Sequence, residues 1–434
     1  MAKPYTYQSL KHWRKLLVFT LIFTANSSFA QILNDELNNE EKIFGLSKLW
    51  SEVKYNFANF DVSKINWDST YQAYIPKVLA TKTTEAYYKE LIKMMALLKD
   101  GHSNVYYRPF FDHKRPPIRT KLIENKIIIT DVYNDTLRTQ NLEVGDEIME
   151  INRINAIEFA TKNVMPYQSA STTQDLNIRT FTYALLTGKA DELIELKIKK
   201  KNGQTFNITV SRKLTSNFKK QTYELNITKE NIAHLKINDF ENQQYKEIFD
   251  SLYPKILPTK ALIIDVRNNG GGDGGQGFYI LSHLIEQNTC GAKSKTKQYI
   301  PTLKAWEQPD MWMEFAPDVI KPIADKKRYS NPVILLTSSR TYSAAEDLTV
   351  AFDVSKRGIK IGQTTGGSTG QPLFFDLTKN GFARICTKKD VYPDGKEFIG
   401  VGIKPDIEVE ETVLSIQEHK DIVLEKAIEQ LTKK

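Results

Sequence analysis

The sequence predicts a multi-domain α+β protein whose C-terminal half is an α/β core. Three observations carry that expectation. Apolar residues recur at three- and four-residue steps through residues 38–110, and change to strand-like alternation through residues 115–215. From about residue 220 the pattern becomes buried strand, glycine turn and helix. At 434 residues the chain is longer than one compact core usually holds, and an apolar content of 41% is that of globular protein.

Residues 1–30 stand apart. Lys3, Lys11, Arg14 and Lys15 precede the apolar run Leu16 to Ala25, which ends in Asn26-Ser27-Ser28-Phe29-Ala30. That is the layout of a secretory signal peptide cleaved after Ala30, and it predicts export to the periplasm, the cell surface or the medium. The apolar run is short for a bilayer span. An uncleaved anchor is the alternative, and the one membrane association to expect. Without these residues the net charge falls from +8 to +4. No dense basic run with interleaved aromatics remains, which argues against a nucleic-acid partner. Cys290 and Cys386 are the two cysteines, with no CxxC pair to suggest zinc. They fit either one disulfide or two separate buried thiols.

In the first part, Leu46 to Phe60 and Thr84 to Leu98 read as amphipathic helices, the second behind a capping Thr and stopped near Gly101. Asn104 to Tyr107 reads as a short strand. The middle part carries four strand runs, beginning at Lys126, Glu147, Ile194 and Thr205, with a tight turn at Gly145-Asp146. In the last part Ala261 to Val266 and Pro332 to Thr337 are continuous apolar runs, as strands covered on both faces require. Each leads through a turn into a helix. Residues 286–330, with Trp306 and Trp312, read as a long functional loop or lid. Asn380-Gly381 marks a hairpin.

Active sites of α/β sheets lie beyond the carboxyl ends of the strands. Two such ends occur here, at Gly270-Gly271 and at Ser343. A serine opening a helix after a buried strand sits beside unpaired N–H groups and the positive end of the helix dipole. The Ala344 N–H is placed to stabilise an oxyanion, and Gly270 and Gly271 let a carbonyl approach their N–H groups closely. A plain helix cap is the other reading of Ser343. A phosphate loop is the rival for Gly270 to Gly275, but neither the Gly-Lys-Ser/Thr ending nor GxGxxG spacing is present. A serine nucleophile needs a base. Of His102, His113, His234, His283 and His419, only His102 stands at a helix end in a loop-like Asp-Gly-His-Ser context.

Four segments in this order resemble the tail-specific (C-terminal processing) and tricorn-core serine peptidases. They are Leu98-Lys99-Asp100-Gly101-His102-Ser103, the run from Asp265 to Gly272, Ser343-Ala344-Ala345-Glu346, and Gly400 to Ile407. The resemblance covers most of residues 40–410. It implies an N-terminal helical region (31–112), a PDZ-like module (113–215), a crotonase-like catalytic core (216–412) and a C-terminal helix (413–434). Leu142 to Asn152 is similar to the family's PDZ stretch, although the carboxylate-binding Gly-Leu-Gly-Phe loop is not evident. One branch of the family pairs its serine with a lysine; here that position falls at Gly367. The tricorn-like branch uses a histidine, and His102 falls at its motif, with Gly101 where tricorn has a serine. Tricorn's late glutamate aligns with Ile399, close to Glu397. Glu346 is a candidate orienting group, or else a solvated helix acid.

The resemblance implies acyl transfer on a peptide or protein substrate. Ser343 attacks, His102 is the base, the N–H groups of Gly270 or Gly271 and of Ala344 hold the oxyanion, and no metal or organic cofactor is called for. A non-hydrolytic carrier on the same fold is the alternative. A crotonase-type acyl-CoA enzyme is a second rival, which the export signal disfavours.

Overall fold

The computed structural model describes residues 36–433; the signal-peptide expectation for residues 1–30 lies outside them. The helical region holds helices Asn39–Asn56, Trp67–Leu79 and Thr84–Ala96. Asn38 caps the first in a reciprocal pair with Glu41, and the Thr83 hydroxyl caps the third. The helix Trp67–Leu79 has a weak apolar pattern and was not anticipated. Leu46, Leu49, Val53, Tyr87, Leu91 and Met94 bury against Ala383, Ile385 and Cys386, far along the chain. The strand Asn104–Tyr107 explains this: it pairs antiparallel with Gly381–Cys386, Asn104 opposite Arg384 and Tyr107 opposite Gly381. The helical region is therefore built onto the predicted hairpin, whose strands are Pro372–Asp376 and Gly381–Cys386.

The middle part is an antiparallel sheet of strands Ile118–Ile123, Lys126–Val132, Glu147–Ile151, Leu193–Lys199 and Thr205–Ser211, in that order. Alternation in Leu193–Lys199 buries Ile194, Leu196 and Ile198 and exposes or half-exposes the residues between. The helix Ala156–Asn163 and the segment Thr173–Ala184 complete this layer, the latter passing from an α-turn into a π-helix at Ile178–Ala184.

The last part contains a six-stranded sheet in the order Ile407–Glu408, Ile359–Gly362, Val333–Thr337, Ala261–Asp265, Ile232–Ile237, Tyr223–Ile227. The first five strands are parallel and the last is antiparallel. Leu262 and Ile264 face helices Tyr245–Ile256, Gly274–Ser282 and Ala344–Ser355. Ala261 and Ile263 face the C-terminal helix Ile422–Thr432 through Val423 and Ala427. Covering on both faces is why the run reads as continuously apolar. Asp265 lies opposite Leu336, so the two adjacent strands deliver the glycine turn and the Ser338–Ser343 turn side by side.

Two expectations are corrected or resolved. Residues 286–330, read as a long functional loop or lid, contain short paired strands. The strands Lys293–Gln298 and Met311–Phe315 pair with each other, and the first also pairs with Lys389–Val391; Thr289–Cys290 pairs with Val319–Ile320. The strand Lys293–Gln298 carries no apolar residue, and Thr289–Cys290 and Val319–Ile320 are two residues long, so no apolar period marked them. Cys290 and Cys386 are both free thiols. Among the described residues no helix is long and apolar enough to cross a membrane.

Candidate active site

His102 and Ser343 come together across 241 residues of sequence, with His102 Nε2 3.1 Å from Ser343 Oγ. Each is delivered by a different part of the fold. His102 leads into the strand that pairs with the hairpin. The buried Asp100 carboxylate holds the loop, accepting from the His102 N–H at 3.0 Å, the Ser103 hydroxyl at 2.8 Å and Asn59 Nδ2 at 3.1 Å. The Ser103 hydroxyl accepts in turn from the Cys386 N–H of the hairpin at 3.1 Å. Gly101 has no room for a side chain, since a Cβ there would lie 2.0 Å from the Tyr342 hydroxyl.

Ser343 is the cap of helix Ala344–Ser355, with φ 55° and ψ −125°. This left-handed conformation is unusual for a residue with a side chain and costs about 1–3 kcal/mol, which the surrounding structure must offset. It holds the hydroxyl at a sharp strand-to-helix turn, partly exposed, while Ala344, Ala345 and Glu346 behind it are buried.

The other nitrogen of His102, Nδ1, lies 2.8 Å from Ser368 Oγ and 3.4 Å from the Tyr342 hydroxyl. Ser368 was not singled out in the sequence, although it directly follows Gly367. Glu346 does not reach His102. It accepts from Thr365 Oγ1 at 2.5 Å, from the N–H groups of Gly367 and Ser368 at 2.8 and 2.9 Å, and from the Ser343 N–H at 3.3 Å. Its orienting role is thus one step removed: it pins the loop that carries Ser368. Full burial pushes its carboxyl up to about 8 against the pull of those donors. The solvated reading of Glu346 is excluded by the same burial. Ile399 packs in an apolar cluster with Phe398 and Tyr392, and Glu397 pairs with Lys389 at 2.8 Å, so neither serves His102.

The Tyr342 ring stacks on the His102 imidazole, centroids 5.0 Å apart and 12° from parallel, and the Arg179 guanidinium lies 5.3 Å from the far ring's centre. Arg179 is itself held by Asp175 at 2.7 Å. The same segment contributes Ser171, whose hydroxyl accepts from the Gly101 N–H at 3.0 Å, and Thr172, which donates to the Gly366 carbonyl at 2.8 Å. No local signal marked these residues; they matter only because the middle layer packs against the turns that carry His102 and Ser368. Burial first, then the charges of Arg384, Arg179 and Lys388, hold the His102 imidazole down at about 3.

Of the expected oxyanion donors, the Ala344 N–H has no acceptor among the described residues. Gly271 lies against Ser343: a Cβ there would be 2.7 Å from Ser343 Cβ and 3.1 Å from Ala344 N. Its own N–H, however, donates to Asn269 Oδ1 at 2.9 Å, so in this structure it is not free to serve. A Cβ on Gly270 would meet nothing within 4 Å. His234 pairs with Asp265 at 3.1 Å within the sheet, His283 is buried against Tyr279, and His419 is exposed.

Comparison with known proteins gives consistent matches. The profile of peptidase family S41 matches residues 231–409, and that of the tricorn protease C1 domain matches residues 41–96. A carboxy-terminal-processing protease of Bartonella bacilliformis is 25% identical over 198 residues, 44% of this chain and 42% of that protein. A chloroplastic C-terminal processing peptidase of Tetradesmus obliquus is 23% identical over 154 residues, 36% of this chain and 30% of that protein. The matches thus span less than half the length of these curated relatives. Among solved structures, mature CPAF superposes with a TM-score of 0.70 at 14% identity, covering 91% of this chain and 98% of that one. The photosystem II D1 C-terminal processing protease gives 0.52 at 15% identity, covering 85% and 93%. At such identities the structural likeness speaks for the mixed α/β fold.

Proposed function

We propose, from the match of the peptidase family S41 profile to residues 231–409, that this chain is an exported serine peptidase that cleaves peptides or protein tails through an acyl-enzyme on Ser343. The observation that carries the reading is the 3.1 Å approach of His102 Nε2 to Ser343 Oγ beside the unoccupied Ala344 N–H. The parallel sheet flanked by helices supports a crotonase-like core, and the five-stranded layer with helix Ala156–Asn163 supports a PDZ-like module. Export rests on the layout of residues 1–30. Tail cleavage rests on the processing relatives.

In this mechanism the Ser368 hydroxyl accepts from His102 Nδ1–H, which leaves the Nε2 lone pair facing Ser343. His102 takes the Ser343 proton as the hydroxyl attacks the peptide carbonyl. The Ala344 N–H and a glycine N–H of the Gly270-Gly271 turn hold the oxyanion, each donor worth about 2.7–4 kcal/mol of barrier. The negative charge formed there stabilises the imidazolium that burial disfavours. His102 then protonates the leaving amine, and water releases the acyl group.

The direct test is labelling with a fluorophosphonate probe. Wild-type protein is expected to label and Ser343→Ala to stay unlabelled; labelling that survives the substitution would assign the nucleophile elsewhere. Ser368→Ala is expected to lower kcat by about 10- to 100-fold, less than the loss of a general base, because the Tyr342 hydroxyl remains within 3.4 Å of Nδ1. A kcat within twofold of wild type would leave Ser368 without an orienting role.

The pH dependence follows from the depressed imidazole. His102 is neutral, as a base must be, well below its ordinary 6.5. The acid limb of kcat/KM assigned to His102 is therefore expected far below that value, and a limb centred near 6.5 would contradict the burial argument. For stability the sign is the same. Between about 6.5 and 3 the unfolded chain binds a proton that the folded chain excludes. The His102 contribution is full above pH 6.5 and is lost as pH falls through that window.

A further inference from the structure

We propose that the cleft at the carboxyl ends of the parallel strands, walled in part by Arg119, Lys236 and Arg340, is an anion subsite that takes the carboxylate side chain of an acidic substrate residue near the scissile bond. The inference rests on the serine peptidase reading above and names its substrate class.

The cleft has a volume of about 380 Å³. Lys236, Asp265, Thr337 and Gln363 wall it, at or beside the carboxyl ends of four neighbouring parallel strands. The turns that carry Gly270 and Ser343 leave two of these strands at the same end, which is where ligands of such sheets bind. Asn268 and Arg340, from those two turns, also line the cleft, and Arg340 Nη1 donates to Asn268 Oδ1 at 2.9 Å. Arg340 precedes Ser343 by three residues, so their backbones are at most about 11 Å apart. An extended substrate covers that span in about three residues.

Cations outnumber acids in the cleft, six Lys or Arg side chains against four Asp or Glu. Three of the four acids are closely held. Arg267 pairs with Asp265 at 2.6 Å and with Asp421 at 2.7 Å, and Lys121 pairs with Glu411 at 2.5 Å. The fourth, Asp131, accepts from the Thr130 hydroxyl at 3.1 Å and lies 3.5 Å from Arg119. Lys236 and Arg340 are left with no acidic partner among the described residues. Lys236 makes no hydrogen bond, and Glu224, opposite it in the strand pair, accepts from Asn238 instead. The Arg340 guanidinium bonds only to neutral groups, Asn268 and the Tyr183 hydroxyl at 3.1 Å.

Like charges also crowd the approach. Lost hydration, then the charge of Arg119 and that of Arg340, pull the Arg115 guanidinium below its ordinary range. Cations that repel one another around a hollow favour an entering anion. A carboxylate accepts hydrogen bonds from a guanidinium and an ammonium together, whereas an amide of the same shape brings no charge.

Two fluorescein-labelled peptides, alike except for two glutamates in one and two glutamines in the other, test this by anisotropy on full-length Ser343→Ala protein, which binds without cleaving. Both are amidated at the C-terminus, so only the side chains differ in charge. The glutamate peptide is expected to bind at least about 10-fold more tightly. Lys236→Gln and Arg340→Gln, each added to Ser343→Ala, should bring that ratio to about one, and Lys236→Glu should favour a peptide with lysines in those places. Each ratio is internal to one variant, so a general loss of affinity cancels. A ratio at or below one, binding of neither peptide, or a ratio unchanged in both glutamine variants would overturn the proposal, while fluorophosphonate labelling of wild type keeps the nucleophile reading. A preference that appears only with a free C-terminus would assign the cleft to the end of the chain and overturn it as well. Absence of labelling would overturn the peptidase reading and, with it, the assignment of the cleft to substrate.

Discussion

Ser343→Ala is expected to lower kcat/KM by about 10⁴- to 10⁶-fold, and His102→Ala to do nearly as much. The two side chains act as one unit. Without His102 the hydroxyl keeps its proton, and without Ser343 the imidazole has nothing to activate. The double variant should therefore be no worse than the poorer single variant, with residual turnover owed to the backbone donors and to substrate binding. Kinetics of the three variants on one peptide check this. Losses that multiply in the double variant would mean that the two groups act independently and that the 3.1 Å contact is incidental.

Gly271→Ala is expected to cost at least about 10² in kcat, the value of a misplaced oxyanion donor, with the fold retained. Two effects combine. Gly271 has φ +102°, where a side chain is strained, and its Cβ would sit 2.7 Å from Ser343 Cβ, 3.0 Å from the Tyr342 carbonyl oxygen and 3.1 Å from Ala344 N. None of these atoms lies at the end of a flexible side chain, so the nucleophile turn itself must shift. Gly270→Ala makes the comparison, because its Cβ meets nothing within 4 Å. Its loss should be clearly smaller. Equal losses would show that the turn is sensitive to any added methyl group rather than to this contact. Circular dichroism on each variant separates a displaced turn from an unfolded sheet.

Both predictions concern residues named from sequence, and the reason lies in local patterning. Buried parallel strands are apolar on both faces, so Ala261–Asp265 and Val333–Thr337 stood out, and with them the turns at their carboxyl ends. The Thr83 cap and the strand runs from Lys126 to Val210 were legible for the same reason, since caps and alternation are properties of neighbouring residues. Where local pattern was weak, the reading failed. Helix Trp67–Leu79 and the strands within residues 286–330 are shaped by what they pack against.

The chemistry divides along the same line. Ser343 and His102 announced themselves because a serine opening a helix and a histidine in a loop are local facts. What orients His102 is not local. Ser368 lies 266 residues from it and reaches Nδ1 only because Glu346 pins the Thr365–Ser368 loop. Tyr342 stacks on the imidazole, and the Arg179 guanidinium, from the middle layer, lies 5.3 Å from the same tyrosine ring's centre. Glu346, read from sequence as a candidate orienting group or a solvated helix acid, is buried and holds the loop that carries Ser368. The candidates Ser343, His102 and the glycine turn were therefore written in the order of residues, whereas the Ser368 hydroxyl beside His102 and the engaged Gly271 N–H were decided by packing. Those roles depend on distances between segments far apart in the chain, and such distances exist only once apolar burial has brought the layers together.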